Sequence, residues 1–444
     1  MNTRTFVIVG LLSVLGCGES PSPTVRQTPA PTPSDDVSAS APSATASIPP
    51  PPPPSLPANA NVLWISVDSL RADMPWLGYP RDVAPRLTAL EKRCTSYSRA
   101  YAVASHTAPS LAAVLFGKYP TELDRDGHFS TAFSKKNLSF VKLLQDAQIK
   151  TISGHAHIFM NRVGFSQGFD RYDLVPGLKL YPNLDENITG KAMSELAQKQ
   201  LTELGELGED QRFLAWYHFL DPHAKWFDHV KDGLPSWGPK MRDQYDNEVT
   251  YADKYIGKLL DFVEEQPWAK RTLIVVTSDH GEALGELGQM YHGYEVWEHV
   301  IHVPLFFCGA GIGARHIDTP RSLIDLGPTL LEMFGQPIPA DFRGQSLVPE
   351  LLGGEAPARE VLIDLPANDF AFARRALIGE RYKILWGAGG GGYQLFDLQE
   401  DPKEKKPIRK GEEYDAWTQK LKERARTLQE IKPYKCRQDC LKGW

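Results

Sequence analysis

The sequence has little excess charge, few cysteines and, after its first residues, no apolar run long enough to span a bilayer. A formal net charge of −6 gives no reason to expect a nucleic-acid partner. Among the 5 cysteines, Cys436 and Cys440 form a CxxxC pattern without two further ligands nearby, which argues against a zinc site. The chain is 42% hydrophobic and 23% charged, the composition of a globular protein with a sizeable core.

The first residues have the features of an export signal. Arg4 precedes an apolar stretch over residues 6–15, which is too short for a stable transmembrane helix and ends at Gly16-Cys17. Residues 14–17, Val-Leu-Gly-Cys, resemble a bacterial lipobox, in which the cysteine is acylated and becomes the mature N-terminus. We therefore expect residues 1–17 to be a lipoprotein signal peptide with Cys17 as the lipidation site. An ordinary cleaved signal peptide is the alternative.

A tether is expected to follow the signal peptide. Residues 18–60 are mostly Pro, Ser, Thr and Ala, with an unbroken run of prolines at 49–54, and such a segment cannot bury apolar area. It would hold a folded domain off the membrane on the periplasmic side, and Gly18 after the lipidated cysteine favours the outer membrane. In that oxidising compartment we expect Cys436 and Cys440 to form a local disulfide, and we expect Cys94 and Cys308 to be buried thiols.

Two hydrophobic patterns alternate along the rest of the chain. Helical spacing occurs at residues 87–93, 140–147, 189–204 and 248–264. Nearly continuous apolar runs, typical of strands buried on both faces of a parallel sheet, cover residues 62–67, 213–218, 272–277 and 303–307. The alternation predicts an α/β fold with a large, mostly parallel central sheet flanked by helices.

The C-terminal part has a different pattern. Residues 381–386 and 393–398 flank a glycine-rich stretch and read as a hairpin, and residues 414–431 read as a helix. We therefore predict a catalytic domain over residues 61–350 and a small antiparallel subdomain over residues 351–444 that completes the fold.

Acidic residues follow three of the predicted strands. Asp68, Asp221 and Asp279 each come at or just after a strand's carboxyl end. In parallel sheets such residues gather in one crevice, which is where ligands bind. Asp68, Asp279 and the adjoining His280 offer oxygen and imidazole groups of the kind that bind metal ions.

A hydroxyl residue stands at the predicted start of a further helix. Pro109 suits a first helical turn, so Thr107 would lie at the N-terminal end, where the helix dipole and free N–H groups favour an anion. The Thr107 hydroxyl can be a plain helix cap, or a nucleophile that a metal ion activates. Its position in the sequence does not separate these two roles.

Taken in order, these motifs resemble bacterial sulfatases of the alkaline phosphatase superfamily. Residues 107–110 (Thr-Ala-Pro-Ser) fall on the family's Cys/Ser-x-Pro-Ser motif, and residues 117–120 (Gly-Lys-Tyr-Pro) fall on its Gly-x-Tyr-Pro motif. Residues 278–282 (Ser-Asp-His-Gly-Glu) match a third landmark, and the resemblance spans residues 61–407.

The resemblance implies specific roles for the matching residues. The nucleophile position is Thr107, with His223 and His292 expected to contact the oxygens of the transferred group or the leaving group. One divalent metal ion would be held by Asp68, Thr107, Asp279 and His280. No second complete ligand set is evident, although Asp221 and His223 could belong to one.

Three departures from the family pattern limit what the resemblance implies. Sulfatases oxidise the motif's cysteine or serine to formylglycine, and Thr107 cannot yield that aldehyde because oxidation of its Cβ gives a ketone. Leu111 stands where the family has an arginine, and Ser69 stands where many members have a second aspartate ligand. With fewer carboxylates and one imidazole, the site favours manganese, zinc or magnesium over calcium.

The sequence therefore predicts a metal-dependent hydrolase of sulfate or phosphate esters. Phosphate esters are preferred because a threonine nucleophile is typical of the superfamily's phosphoryl-transferring members, and the substrate would be a small-molecule, glycan or lipid ester. One alternative is an envelope transferase of phospho-headgroups, but such transferases usually carry several transmembrane helices. Another is a catalytically inactive, sulfatase-like binding lipoprotein.

Overall fold

The computed structural model describes residues 56–181, 184–204 and 211–434. The predicted signal peptide with Cys17, nearly all of the tether, and the Cys436–Cys440 pair lie outside these residues, so those expectations stay predictions. Within the described ranges, no helix is both long enough and apolar enough to cross a membrane.

Seventeen strands and nine helices are present in the described residues. The helices are α1 (Pro85–Glu91), α2 (Thr107–Phe116), α3 (Phe140–Asp146), α4 (Gly190–Leu204), α5 (Met241–Glu264), α6 (Glu298–Ile301), α7 (Leu326–Met333), α8 (Val348–Leu351) and α9 (Glu412–Arg426). The strands are β1 (Asn61–Val67), β2 (Thr95–Tyr97), β3 (Ala100–Tyr101), β4 (Lys150–His155), β5 (Arg171–Leu174), β6 (Phe213–Phe219), β7 (Thr272–Ser278), β8 (Ala283–Leu284), β9 (Met290–Tyr291), β10 (His302–Val303), β11 (Leu305–Gly309), β12 (Arg315–Ile317), β13 (Arg321–Ser322), β14 (Val361–Leu365), β15 (Arg374–Ile378), β16 (Tyr382–Gly387) and β17 (Gly392–Asp397).

An eight-stranded sheet in the order β12-β2-β11-β7-β1-β6-β4-β5 forms the centre of the fold. The five strands from β7 to β5 are parallel, and β11 runs antiparallel to β7 and β2. The predicted α/β fold with a mostly parallel sheet is confirmed. The predicted strand over 303–307 is wrong in detail, because Val303 ends β10 and Leu305 begins β11. Pro304 separates them, and proline has no N–H for a sheet ladder.

The central strand β1 is buried on both faces, as its apolar run indicates. Successive side chains of a strand point to opposite faces, so Val62 and Trp64 join one core cluster, with α2, α3 and α7. Leu63 and Ile65 join the other, with α1, α4 and α5. Helices therefore cover both faces of the sheet, and the polar groups at its carboxyl edge are left to form a site.

The C-terminal part contains a four-stranded antiparallel sheet in the order β14-β15-β16-β17. The predicted hairpin is present as β16 and β17, whose ladder runs from Tyr382–Asp397 to Gly387–Gly392. The predicted helix is present as α9, although it ends at Arg426 rather than at 431. The small antiparallel subdomain expected from the sequence is therefore confirmed as a sheet.

The expectation that Cys94 and Cys308 are free buried thiols is wrong. The two residues form a disulfide across 214 residues of chain, with their Cα atoms 4.4 Å apart. Cys94 directly precedes β2, and Cys308 lies in β11, the neighbouring strand. The sequence could not pair them, because their proximity depends on a sheet order that places β2 beside β11.

Candidate active site

Thr107 is the first residue of α2, and its hydroxyl does not cap that helix. The N-cap is His106, and no side chain makes a capping hydrogen bond there. Instead the Thr107 hydroxyl oxygen lies 3.1 Å from Nε2 of His280 and 3.4 Å from Oδ2 of Asp68. The hydroxyl therefore faces the candidate ligands and does not cap the helix, and its role as a nucleophile stays a prediction.

The three predicted metal ligands besides Thr107 lie together because their strands are neighbours. Asp68 follows β1, whereas Asp279 and His280 follow β7, which pairs with β1 in parallel. Nε2 of His280 lies 3.7 Å from Oδ1 of Asp68 and 3.4 Å from Oδ2 of Asp279. All three side chains are buried.

These separations fit a bound divalent cation. Two ligands bonded to one ion at about 2.1 Å lie about 3.0 Å apart in an octahedral site and about 3.4 Å apart in a tetrahedral one. The measured contacts among Thr107, Asp68, Asp279 and His280 range from 3.1 to 3.7 Å. The four groups could therefore surround a single ion with small adjustments.

Two further observations indicate that a cation belongs in this site. Burial and the negative charge of Asp68 together raise the pKa of Asp279, whose Oδ2 accepts no hydrogen bond from any described residue. The His280 ring donates from Nδ1 to the carbonyl of Gly281 at 2.8 Å, which leaves Nε2 free to act as a ligand. The donor set thus fits a divalent metal ion.

Two histidines that the sequence analysis missed contact Asp68. Nε2 of His157 lies 2.5 Å and Nε2 of His218 lies 3.4 Å from Oδ2 of Asp68. Burial of Asp68 favours its neutral form, but the charges of His223 and His157 and the hydrogen bond from His157 outweigh it. They hold the pKa of Asp68 well below its usual range. His218 lies in β6 and His157 just after β4, so the strand-end rule that singled out Asp68 also applies to them.

Asp68, His157 and His218 form a second group whose ligating atoms lie within 4.8 Å of one another. The 2.5 Å separation of His157 and Asp68 is that of a hydrogen bond and is too short for two ligands of one ion. The Ser66 hydroxyl accepts from Trp216 at 2.7 Å and lies 2.8 Å from Nδ1 of His218, so it can donate there and direct the Nε2–H toward Asp68. We therefore assign the two histidines to holding the carboxylate of Asp68.

The second metal site that Asp221 and His223 could have completed does not form around Asp221. Its carboxylate accepts hydrogen bonds from the backbone N–H of Thr189 at 3.2 Å and from the hydroxyl of Thr189 at 2.8 Å. Asp221 therefore anchors the start of α4 and takes no part in the candidate ligand set.

His223 and His292 lie at the outer side of the candidate site, with their ring centroids 5.0 Å apart. Burial lowers the pKa of His223, but the negative charge of Asp68, to which Glu282 adds when it is ionised, more than offsets this and raises it. Burial, followed by the charges of His280 and His223, places the pKa of His292 well below its usual range. The site therefore favours protonation of His223 and disfavours protonation of His292.

A protonated glutamate fixes the orientation of the His292 imidazole. Burial raises the pKa of Glu282 to about 8, and its Oε1 lies 3.1 Å from Nδ1 of His292. The glutamic acid O–H can donate to Nδ1, which leaves the Nε2–H of His292 as a donor. Nδ1 of His223 donates to the carbonyl of Ala224 at 2.7 Å, so its Nε2–H is likewise the remaining donor. An anionic group in the site could accept hydrogen bonds from the Nε2–H groups of His223 and His292.

The two residues that depart from the family pattern have local roles. Ser69 has a left-handed backbone (φ +59°), donates its hydroxyl to Oδ1 of Asp68 at 2.8 Å, and places its N–H 3.3 Å from Oδ1 of Asp279. Leu111 is only 1% exposed and packs in the core. Ser69 therefore orients ligands without being one, and an apolar contact occupies the arginine position.

Comparison with known proteins identifies the class. The sulfatase family model matches residues 60–336, and the model of the N-sulphoglucosamine sulphohydrolase C-terminal region matches residues 289–431. The chain therefore belongs to the sulfatase family.

The similarity to individual proteins covers a short part of the chain in sequence and most of the chain in structure. A sulfatase from Formosa agariphila is 39% identical over 101 residues, which cover 22% of this chain, so the match spans a fifth (20%) of that relative. Among solved structures, the phosphonate monoester hydrolase of Agrobacterium radiobacter has a TM-score of 0.66 at 18% identity, covering 83% of this chain and 95% of its own. A protein solved with its substrate D-glucosamine-2-N,6-O-disulfate has a TM-score of 0.68 at 18% identity, covering 83% and 98%. Both structures show that the fold is shared.

Proposed function

We propose that this protein is a metal-dependent ester hydrolase that acts on phosphate esters in preference to sulfate esters. The observation that carries the proposal is the Thr107 hydroxyl, which lies 3.1 Å from His280 and 3.4 Å from Asp68 at the start of α2. The N-terminus of α2 favours an anion at that place, and a cation held by the ligand set would attract the same anion. The Thr107 hydroxyl can therefore reach a bound oxyanion.

The proposed reaction has two steps. In the first, Oγ1 of Thr107 forms a bond to phosphorus while the ester P–O bond breaks, and the departing alkoxide takes a proton from the cationic His223. In the second, water attacks the phosphothreonine, the bond to Oγ1 breaks, and His223 takes the proton of the water. A divalent cation held by Asp68, Asp279 and His280 would lower the pKa of the Thr107 hydroxyl, whose proton is then released to water. His292 would donate to an oxygen of the transferred group.

Phosphorus is preferred over sulfur for a chemical reason. A formylglycine hydrate has a second hydroxyl on the same carbon, so it can expel sulfate by elimination without attack at sulfur. Thr107 has one hydroxyl, so its ester intermediate must be hydrolysed by water at the central atom. That a phosphonate monoester hydrolase shares the fold supports phosphorus chemistry on this scaffold.

The proposal places the enzyme in the bacterial envelope. Cys17 would carry the lipid, residues 18–60 would form the tether, and the catalytic domain would face the periplasm from the outer membrane. The Cys94–Cys308 disulfide is consistent with an oxidising compartment. Labelling with a fatty-acid analogue, lost in Cys17→Ala, tests the anchor.

A substrate panel tests the reaction. The purified protein, loaded in turn with manganese, zinc and magnesium, is assayed on phosphate monoesters, phosphate diesters and aryl sulfates beside Thr107→Ala. We expect turnover of a phosphate ester, a decrease of about 10³-fold in Thr107→Ala, and phosphate on Thr107 in peptide mass spectra. Aryl sulfate turnover that Thr107→Ala abolishes would overturn the preference for phosphorus.

Two other outcomes identify the alternatives that the sequence left open. Transfer of the phosphoryl group to an added alcohol faster than to water would define a transferase. Purification without metal, together with no turnover of any ester, would define a binding protein.

A further inference from the structure

A row of ring contacts runs from the candidate metal ligands toward the surface. The ring centroids of His280 and His292 are 4.2 Å apart, and those of His292 and His106 are 6.2 Å apart. His106 in turn lies 4.2 Å from the ring of Phe129. Phe129 is therefore linked to the candidate metal ligands through two histidine rings.

Beyond His106 lies the partly buried ring of Phe129, followed by two exposed rings. Phe129 lies 6.1 Å from Tyr294 in a stacked arrangement and 5.9 Å from Phe370 in an edge-to-face one. Tyr294 is 43% exposed and Phe370 is 75% exposed. We call Phe129, Tyr294 and Phe370 the aromatic rim. Contiguous exposed apolar groups of this kind mark sites of interaction.

The turn that presents Phe370 is held by hydrogen bonds. Oδ1 of Asn368 accepts from the N–H groups of Phe370 at 2.9 Å and Ala371 at 3.0 Å. The next residue, Asp369, binds Nδ1 of His128 at 2.8 Å, which joins this turn to the loop that carries Phe129. The backbone that carries Phe370 is thus held in place while the ring is exposed, and a preorganised turn loses little entropy when a ligand binds.

The segment that carries Tyr294 is fixed in a similar way. Arg374 makes two hydrogen bonds to Glu295, at 2.8 and 2.7 Å, and the Ser105 hydroxyl donates to the carbonyl of Glu295 at 2.5 Å. Gly293 precedes Tyr294 with a φ of +88°, and a Cβ there would lie 3.2 Å from the His106 ring and 3.3 Å from the Phe129 ring. Glycine at 293 therefore lets these rings approach the segment closely.

The charged groups beside the rim are neutralised by each other. His128 pairs with Asp369, and Arg374 pairs with Glu295. A polyanionic chain would need cations that such pairs do not offer. An uncharged ligand ring, by contrast, can stack its face on the aromatic side chains and bury apolar area there. The polar groups at the edge of the ligand ring keep their hydrogen bonds.

We propose that the aromatic rim binds the alcohol part of the ester and that this part carries an uncharged ring, either a pyranose or an aryl group. The inference rests on the proposed ester hydrolysis, since it assigns the part of the substrate that remains outside the metal pocket. The rim would contribute to binding of the intact ester and leave the chemistry at phosphorus unchanged.

The test compares three phosphate monoesters on the full-length protein: 4-nitrophenyl phosphate, a neutral pyranose phosphate and methyl phosphate, which has no ring. In Phe370→Ala and Tyr294→Ala we expect KM to rise about 3- to 10-fold for a ring ester, with kcat little changed and methyl phosphate unaffected, since one aromatic contact contributes about 0.5–1.5 kcal/mol. Phe370→Trp should restore KM. The matched control is Ile338→Ala, which removes an exposed apolar side chain (39% exposed) that is not part of the rim.

The outcomes separate the two ring types and the two proposals. A rise in KM for the nitrophenyl ester alone assigns an aryl ring, and a rise for the pyranose ester alone assigns a sugar. If KM changes equally for all three esters, or if the variants lower kcat and leave KM unchanged, the rim is not a binding site for the ring. If no ester is turned over, calorimetric binding of 4-nitrophenyl phosphate to Thr107→Ala, weakened by Phe370→Ala, would still support the rim, and unchanged binding would contradict it.

Discussion

The Thr107 hydroxyl lies 3.1 Å from Nε2 of His280, a residue 173 positions away in the chain. The contact depends on the parallel pairing of β1 with β7 and on the start of α2 at Thr107. It is reinforced by Ser110, whose hydroxyl donates to the carbonyl of Asp279 at 2.6 Å and so ties the first turn of α2 to the end of β7. Nucleophile and ligands therefore form one unit, and the effects of removing its members should not add.

We expect the purified protein to bind one equivalent of divalent metal. Asp279→Asn should abolish binding, because it removes a buried carboxylate charge from the set that faces Thr107. His218→Gln should still bind one equivalent of metal, but more weakly, since His218 positions the Asp68 carboxylate and is not itself a ligand. The measurement is elemental analysis after dialysis, with His229→Gln as a control for loss of another buried histidine. Two equivalents in the wild type, and one in His218→Gln, would show that Asp68, His157 and His218 bind a second ion.

His223→Gln should slow esters of poor leaving groups far more than esters of good ones. An alkyl alkoxide needs a proton as it departs, whereas 4-nitrophenolate does not. We expect kcat/KM, which reports the first step, to fall by about 10²–10⁴-fold for an alkyl phosphate and much less for 4-nitrophenyl phosphate. Equal losses for both esters would remove His223 from the role of acid and leave it as a binding group.

The pH profile gives an independent measurement on the same residue. Because the pKa of His223 is raised, its cationic form should persist above the ordinary value of about 6.5. Hydrolysis of the alkyl ester should therefore fall only as the pH rises through that raised pKa. The alkaline decline should be absent in His223→Gln, and its persistence there would assign it to another group.

The parallel core and most of the candidate site could be predicted because their signals are local. An apolar run such as 62–67 followed by a lone acidic residue indicates a buried strand with a functional end, and Asp68 and Asp279 were found in this way. His157 was missed because the strand before it, β4, has no continuous apolar run, and His218 because it lies inside the run 213–218 and does not follow it. Their roles follow from strand order, which places β6 and β4 on one side of β1.

Other features depended on contacts distant in the sequence. Cys94 and Cys308 meet because β2 and β11 are neighbours, which a local pattern does not encode. The aromatic rim combines a loop at Phe129 with turns at Tyr294 and Phe370. Each of these residues, taken alone, reads as an ordinary surface or core position.

Restoring the family's arginine should destabilise this protein. Leu111 is 1% exposed and packs in the core, so Leu111→Arg would bury a cation without a partner. We expect a loss of about 3 kcal/mol or more in the free energy of unfolding, measured by denaturant titration, and no gain of sulfatase activity. Leu111→Met conserves volume and should cost less than about 1.5 kcal/mol. A stable Leu111→Arg protein that hydrolyses aryl sulfates would contradict this assignment.

The Cys94–Cys308 disulfide should contribute substantially to stability. It closes a loop of 214 residues, and native disulfides typically contribute about 2–5 kcal/mol. The double variant Cys94→Ala/Cys308→Ala should therefore unfold at a lower temperature than the wild type, and a reducing agent should lower the wild-type midpoint toward that of the variant without affecting the variant. Cys436→Ala/Cys440→Ala is the matched control, and its response to reductant should equal that of the wild type. A wild type that is insensitive to reductant, with free thiols at Cys94 and Cys308 in alkylation mapping, would mean that the bond does not form in the isolated protein.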